Sequence, residues 1–139
     1  MTINREKTST VKLFQEGESL DFLGFTFRWD RDLRGRDHRY LNVFPSKKAT
    51  VRIREKIRGV CRWSNRPLWE TVDDLNDVLR GWRRYFAYGY PRKVFRDVNH
   101  YVVQRFSRLL RHKSQRRSRP FRPGESIYRG IRRWGYRPL

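Results

Sequence analysis

The sequence predicts a mostly helical α+β protein, in which an N-terminal β-hairpin precedes a three-helix bundle and a basic tail. Two short segments rich in aromatic residues, 20–28 and 39–44, predict the two strands of the hairpin. After Pro45, three longer segments place apolar residues at helical spacing. Charge divides the chain in the same way, because residues 1–44 carry a net charge of +1 and residues 45–139 carry +19.

The predicted hairpin loop is the polar stretch 30–37, which contains Gly35 and the aspartates Asp30, Asp32 and Asp37. Glycine and aspartate are typical turn residues, since glycine adopts positive φ and aspartate caps its own backbone. We therefore interpret these aspartates as turn residues and not as metal ligands.

The first predicted helix begins after Ser46, whose hydroxyl suits an N-cap. Its apolar stripe is Ala49, Ile53, Ile57 and Val60 or Cys61. Most of the remaining surface is basic. The cations of this helix are Lys47, Lys48, Arg52, Arg54, Lys56 and Arg58.

The second predicted helix runs from about Pro67 to Tyr88 and the third from about Arg92 to Lys113. The second has acidic residues early and arginines late, which complements the helix dipole. Its apolar stripe is Val72, Leu75, Leu79, Trp82 and Phe86. The stripe of the third helix is Phe95, Val98, Val102, Phe106 and Leu109. Gly81 is unfavourable inside a helix, and the close approach of a neighbouring helix would explain it.

The C-terminal region divides into two parts. Residues 113–124 have no apolar period and are predicted to be a basic linker or a segment ordered by RNA. Residues 126–139 regain apolar side chains and are expected to dock on the bundle. We therefore divide the chain into residues 1–44, 45–112 and 113–139.

Several classes of protein and site are disfavoured by the sequence. No apolar run approaches the roughly 18 residues of a membrane-spanning helix, and no signal-peptide core follows Met1, so we expect a cytoplasmic protein without a membrane partner. The single cysteine, Cys61, excludes an internal disulfide and is interpreted as a core residue. His38, His100 and His112 lack the spacing of metal ligands, and we expect no cofactor, no metal and no catalytic residue.

One carboxylate pair resembles a polymerase metal site. Asp73 and Asp74 follow Thr71-Val72, and adjacent carboxylates hold Mg²⁺ in two-metal phosphoryl transfer. However, the pair lies in the first turns of an amphipathic helix, where carboxylates complement the dipole. We adopt the dipole interpretation.

The excess of positive charge predicts a nucleic-acid partner, because Lys and Arg release condensed counterions when they contact phosphates. Tyr85, Tyr88 and Tyr90 lie beside arginines and suit unpaired bases, although ordinary half-buried tyrosines explain them equally well. Trp82 and Phe86 are interpreted as packing residues. The candidate RNA-binding residues are Lys47, Lys48, Arg52, Arg54, Lys56, Arg58, Arg80, Arg83, Arg84, Tyr85, Tyr88, Arg92, Lys93, Arg105, Arg108, Arg111, Lys113, Arg116, Arg117 and Arg119.

Several motifs occur in the order of a known family. They are Asn4-Arg5-Glu6-Lys7-Thr8, Phe22-Leu23-Gly24-Phe25, Pro45-Ser46-Lys47-Lys48-Ala49, Arg54-Glu55-Lys56-Ile57-Arg58, Leu75-Asn76, Leu79-Arg80-Gly81-Trp82 with Tyr85-Phe86, and the helix from Arg105 to Lys113. Together they resemble the end of a group II intron reverse transcriptase/maturase. The resemblance covers the maturase-specific thumb domain, also called X, and a short remnant of the palm. It implies that Phe22, Leu23, Gly24 and Phe25 are primer-grip-like.

The resemblance implies an RNA-binding maturase domain that assists intron folding and splicing, with structured group II intron RNA as the partner. The alternative is the thumb fragment of a split or truncated reverse transcriptase. That alternative adds two partners, an RNA–DNA template–primer duplex and a separate palm-containing chain. The sequence contains no Tyr-x-Asp-Asp tetrapeptide and no Cys/His endonuclease metal site, so we expect no enzyme activity from this chain alone. A degraded remnant is a third possibility, which the intact apolar patterning disfavours.

Overall fold

A computed structural model describes residues 12, 13, 15, 17–32, 38–62, 65–113 and 121–139. Within these residues, a three-stranded antiparallel sheet of order β1-β2-β3 precedes four helices. The strands are β1 (Ser19–Phe22), β2 (Phe25–Arg31) and β3 (Arg39–Pro45). The helices are α1 (Lys47–Val60), α2 (Leu68–Phe86), α3 (Arg92–Lys113) and α4 (Ile127–Arg133). The predicted α+β class is confirmed.

The first predicted strand is in fact two strands. Residues 20–28 are divided by a tight turn at Leu23-Gly24, where φ is 50° and 84°. Positive φ at both central residues is what a type I′ hairpin turn requires, and Phe22 pairs with Phe25 across it. Sequence reasoning missed the turn because leucine rarely adopts this conformation. The second predicted strand corresponds to β3.

The predicted hairpin corresponds to β2 and β3, but its loop is shorter than expected. Asp30 lies in β2 and not in a loop. Its carboxylate accepts hydrogen bonds from Arg28 at 2.7 Å and from Asn42 at 2.7 Å. The bond from Arg28 is the main reason that the pKa of Asp30 is lowered. Residues 33–37, which include Gly35 and Asp37, lie outside the described residues.

The helical boundaries and stripes follow the predicted periodicity. Ser46 caps α1, its Oγ accepting from the Ala49 amide at 3.2 Å. Trp82 and Phe95 are half-buried at the rim of the core, with their rings 5.5 Å apart. The stripe residues buried in the bundle are Ala49, Ile53, Ile57, Cys61, Val72, Leu75, Leu79, Phe86, Val98, Val102, Phe106 and Leu109. The expected explanation for Gly81 is wrong, because a Cβ there would meet nothing within 4 Å.

The C-terminal residues lie against the bundle and include a helix, α4, that the sequence analysis did not predict. Ile131 and Tyr136 are buried in the common core. Asn76 on α2 donates to the Gly135 carbonyl at 2.9 Å and accepts from the Arg137 amide at 2.8 Å. Asn99 on α3 accepts from the Tyr136 hydroxyl at 3.0 Å. Two asparagines therefore fix the tail across α2 and α3.

Phe121 begins the described part of the tail and packs on Trp134, with ring centroids 5.0 Å apart. Its ring occupies the space that a Cβ at Gly130 would need. The basic stretch 113–124 therefore contains one packed aromatic residue, Phe121, while its residues 114–120 lie outside the described residues. In the described part of the chain, no helix combines the length and apolarity needed to cross a bilayer.

Candidate nucleic-acid interface

A groove runs between α1 and the C-terminal part of α2 and ends at the β1–β2 turn. We call it the basic–aromatic groove; it encloses a cavity of about 600 Å³. One wall carries Lys48, Arg52 and Lys56, and the other carries Trp82 and Tyr85. Residues four apart on a helix share a face and rise about 6 Å along its axis, so the three cations form a row along the groove.

The β1–β2 turn is fixed to the end of this groove by two hydrogen bonds. Tyr85 donates its hydroxyl to the Leu23 carbonyl at 2.9 Å, and the Ser46 amide donates to the Gly24 carbonyl at 2.7 Å. A Cβ at Gly24 would lie 3.3 Å from the ring of Phe86, so a side chain there would press on the core. The turn is thus attached to both α1 and α2.

The four residues that the resemblance implies to be primer-grip-like divide into two exposed and two partly buried residues. Phe22 and Leu23 are 59% and 67% exposed, although both are large and apolar. Phe25 is half-buried, and its ring stacks on Tyr85 with centroids 5.6 Å apart. Gly24 faces Phe86, as described above. The exposed pair forms an apolar tip beside the basic–aromatic groove.

The tyrosines that sequence reasoning left open combine packing with exposure. Tyr85 contacts Phe25 and Phe86 yet remains 50% exposed. Tyr90 packs edge-on against Tyr40 at 5.1 Å, and its amide donates to the Val43 carbonyl at 2.7 Å. Tyr88 is 72% exposed. Tyr85 is the tyrosine that lies in the groove with the basic row.

Trp82 has the packing role that the sequence predicted, but it also lines the groove. Its ring lies 4.9 Å from Phe86 and 5.5 Å from Phe95. Sequence reasoning assigned this residue to the core alone, since the helical stripe gives no information on where a groove opens.

The predicted cations are spread over the helical surface, and many are exposed. Arg54 places its guanidinium 5.4 Å from the ring centroid of Tyr101, and Arg80 pairs with Asp77 at 2.6 Å. Lys113 donates to the Arg66 carbonyl. Exposed candidates are Lys47, Lys48, Arg52, Arg54, Lys56, Arg58, Arg80, Arg83, Arg84, Arg92, Lys93, Arg108 and Arg111. Arg116, Arg117 and Arg119 lie outside the described residues.

A second basic cluster lies at the other end of α1, and we call it the far-end pocket. It is a cavity of about 590 Å³ lined by Cys61, Arg62, Arg105, Arg108, Leu109 and His112. Sequence reasoning included Arg105 and Arg108 but missed Arg62 and His112. The signal for Arg62 was its position four residues after Arg58, which continues the basic face of α1 by one turn.

The thiol of Cys61 forms the buried floor of the far-end pocket. Burial raises the pKa of Cys61 to about 12, with the positive charge of Arg105 acting in the opposite direction. The thiol is therefore protonated at neutral pH and is a poor nucleophile. The predicted core role of this residue is confirmed by its burial.

One member of the Asp73/Asp74 pair of α2, Asp74, has a local ionic partner. Asp74 accepts from Arg66 at 2.8 Å, and Arg66 also donates to Glu70 at 3.1 Å. Among the residues that the structure describes, no group of three His, Cys, Asp or Glu side chains is placed to hold a metal ion.

Comparison with protein families matches the chain to the model described as "Group II intron, maturase-specific domain" over residues 50–124. This match covers more than half of the chain. The chain belongs to the group II intron maturase-specific domain family. No curated protein matches it.

The maturase-specific domain is not a catalytic domain, and the matched range contains most of both basic sites. Arg52, Lys56, Trp82 and Tyr85 of the groove fall within it, as does the whole far-end pocket. The sheet lies before the matched range and α4 lies after it. The β1–β2 turn is therefore joined to the matched range through Tyr85, and to Ser46 just before it.

Proposed function

We propose that this chain binds structured group II intron RNA and helps it to adopt its splicing-competent fold. The observation that carries the proposal is the row of Lys48, Arg52 and Lys56 facing an exposed aromatic ring, Tyr85, in a groove of a maturase-specific domain. Cations that track a backbone beside a stacking platform are the usual composition of a single-stranded nucleic-acid groove. The net charge supports the same proposal, since it is +19 over residues 45–139.

The mechanism is charge neutralisation combined with stacking. Closely packed phosphates repel one another, and each Lys or Arg contact lowers that repulsion while releasing a condensed counterion. An unpaired base that stacks on Tyr85 would be oriented by a ring that Phe25 and the Leu23 carbonyl hold in place. The RNA performs the splicing chemistry, and the protein reduces the free-energy cost of compacting it.

The salt dependence of RNA binding tests this proposal. With six to ten phosphate contacts, the plot of log affinity against log salt has a slope of about −5 to −9. The measurement uses the full chain and a structured intron RNA between low and physiological salt. A slope shallower than about −2 would mean that the charge is not used on phosphates, and the proposal would fail.

A second candidate is the thumb fragment of a split reverse transcriptase, which the exposure of Phe22 and Leu23 favours. Two large apolar residues at the tip of a turn are suited to contact another protein chain. The test adds this chain to a group II intron reverse transcriptase truncated before its own thumb and measures primer extension. The fragment role is supported if the parent chain restores primer extension and a Phe22→Asp/Leu23→Asp variant does not. Equal extension with and without the chain rejects it.

A further inference from the structure

The far-end pocket is unusual because its basic side chains converge without an acidic partner. Arg62, Arg105 and Arg108 line one cavity of about 590 Å³ together with His112. Within the described part of the chain, no Asp or Glu forms an ion pair with these arginines. Three like charges around one cavity repel one another, and such an arrangement is stabilised when an anion lies among them.

The Arg105 side chain supplies a second, independent observation. Its Nε atom is buried and has no hydrogen-bond partner among the described residues. A buried donor without a partner costs about 1–3 kcal/mol, and nearly all buried donors in proteins are satisfied. Because Arg105 lines the pocket, a rotation of its side chain would bring this N–H to an acceptor placed there.

We propose that the far-end pocket is a phosphate-binding site, in which Arg105 donates its Nε–H to a phosphate oxygen and the exposed Arg62 and Arg108 neutralise the charge. Guanidinium groups bind phosphate by parallel N–H donors and remain charged at all physiological pH values. The phosphate comes from RNA, either from an internucleotide link or from a chain end. In this respect the proposal rests on the proposed function.

The position of the pocket separates it from the basic–aromatic groove. Lys48 begins the groove near the start of α1, and Cys61 follows its last residue. At 1.5 Å per residue these positions are about 20 Å apart along the helix axis, and Lys56, the last cation of the groove row, is about 8 Å from Cys61. An RNA strand that follows the exposed face of α1 would therefore meet aromatic rings at one end and a cluster of three arginines at the other.

The direct test observes the Arg105 Nε–H by 1H–15N NMR of the full chain during titration with inorganic phosphate. We expect a saturable shift of the Arg105 signal, identified by its loss in Arg105→Lys, and little shift of the Arg96 signal. Arg96 is an exposed arginine of the same helix that lines a different cavity. An Arg105 signal that moves no more than that of Arg96 overturns the proposal.

The RNA test compares two variants with the same change in charge. Arg62→Gln/Arg108→Gln removes the exposed pocket cations, and Arg96→Gln/Arg129→Gln removes two exposed cations elsewhere. Each lost phosphate contact costs about five-fold at physiological salt, so we expect about 25-fold weaker binding and a salt slope shallower by about 2 for the pocket variant. Equal losses in both variants overturn the pocket as a specific site.

The two sources of phosphate are distinguished by RNA oligonucleotides of one sequence, with a 5′-phosphate or a 5′-hydroxyl. If both oligonucleotides shift the Arg105 signal, the bound phosphate is an internucleotide phosphate. If only the 5′-phosphorylated RNA shifts it, the bound phosphate is at a chain end. Failure of the two proposals is also distinguishable. A chain that binds RNA without moving Arg105 rejects the pocket only, whereas a phosphate-induced shift without any RNA binding rejects the proposed function only.

Discussion

The two ends of α1 carry cations in different surroundings. At the end near the β1–β2 turn, Lys48, Arg52 and Lys56 face Trp82 and Tyr85 across the basic–aromatic groove. At the other end, the far-end pocket combines three arginines and a histidine beside the buried Cys61, with no Phe, Tyr or Trp among the described residues of its lining. A row of cations beside exposed rings suits backbone and bases together, while converging guanidinium groups suit a single phosphate. The residues that surround the cations therefore distinguish the basic–aromatic groove from the far-end pocket.

The two sites also differ in how firmly they are joined to the core. In the groove, Trp82 packs on Phe86 and Phe95. Tyr85 holds the β1–β2 turn at the end of the groove by a hydrogen bond. In the far-end pocket, Arg62 and Arg108 are exposed and only Arg105 is half-buried. Substitutions of the groove's aromatic residues are therefore expected to affect both folding and binding, while those at the exposed pocket residues affect binding alone.

The largest effect is expected from truncating the groove tryptophan. Trp82→Ala should lower the free energy of unfolding by about 3 kcal/mol, since the ring packs against two aromatic neighbours. Urea denaturation measures the loss, and Arg108→Gln is the control, with a change within about 0.5 kcal/mol. If Trp82→Ala unfolds like the parent and loses RNA affinity instead, the ring is a stacking platform and the contrast in attachment to the core is wrong.

Removing the basic row should weaken RNA binding by about 100-fold. Lys48→Gln/Arg52→Gln/Lys56→Gln deletes three predicted phosphate contacts, each worth about five-fold at physiological salt. The control Arg96→Gln/Arg129→Gln/Arg132→Gln removes the same charge from other exposed positions. Binding titrations at one salt concentration compare them. Equal losses would indicate that net charge alone governs affinity and that neither end of α1 is a defined site.

Tyr85 offers a smaller change that separates its ring from its hydroxyl. Tyr85→Phe keeps the stacking face and removes the hydrogen bond to the Leu23 carbonyl, so stability should fall by about 1 kcal/mol with RNA affinity unchanged. Tyr85→Ala should also cost about 1–3 kcal/mol of binding. Thermal unfolding and RNA titration of both variants provide the comparison. Equal RNA affinity of the two variants would show that no base stacks on Tyr85 in the groove.

The helical core could be predicted because it depends on a period. Burial of Ile53, Leu79 and Val102 follows from apolar spacing of three and four residues, and the Ser46 cap follows from the chemistry of helix ends. The order of the family motifs along the chain predicted the order of the other elements. None of these patterns depends on a contact between residues far apart in sequence.

The parts that sequence reasoning missed depend on such long-range contacts. The turn at Leu23 is held by Tyr85, which is 62 residues away, and nothing local to a leucine predicts positive φ. Helix α4 is short, and the segment that follows it is held by Asn76 and Asn99 on other helices. Arg62 was missed because it lies one residue past Cys61 and acquires its role only where α3 brings Arg105 beside it.

The smallest predicted effect concerns the backbone of the β1–β2 turn. Leu23 has φ of 50°, a left-handed conformation that costs a residue with a Cβ about 1–2 kcal/mol. Asparagine tolerates this conformation better. Leu23→Asn should therefore stabilise the chain by about 0.5–1 kcal/mol, as measured by urea denaturation. Leu23→Ala is the matched control and should give no such gain, because it keeps the same steric conflict.

The same pair of variants tests why a strained leucine occupies the groove end. The side chain is 67% exposed, so its removal exposes no core, and the backbone carbonyl that accepts from Tyr85 is present in both variants. If the apolar tip contacts RNA or a second chain, Leu23→Asn should be more stable than the parent but weaker in that binding, a trade of stability for function. If Leu23→Asn and Leu23→Ala have the same free energy of unfolding, the asparagine relieves no backbone strain. The turn would then store no strain for function, and the contrast with the unstrained, exposed arginines of the far-end pocket would be lost.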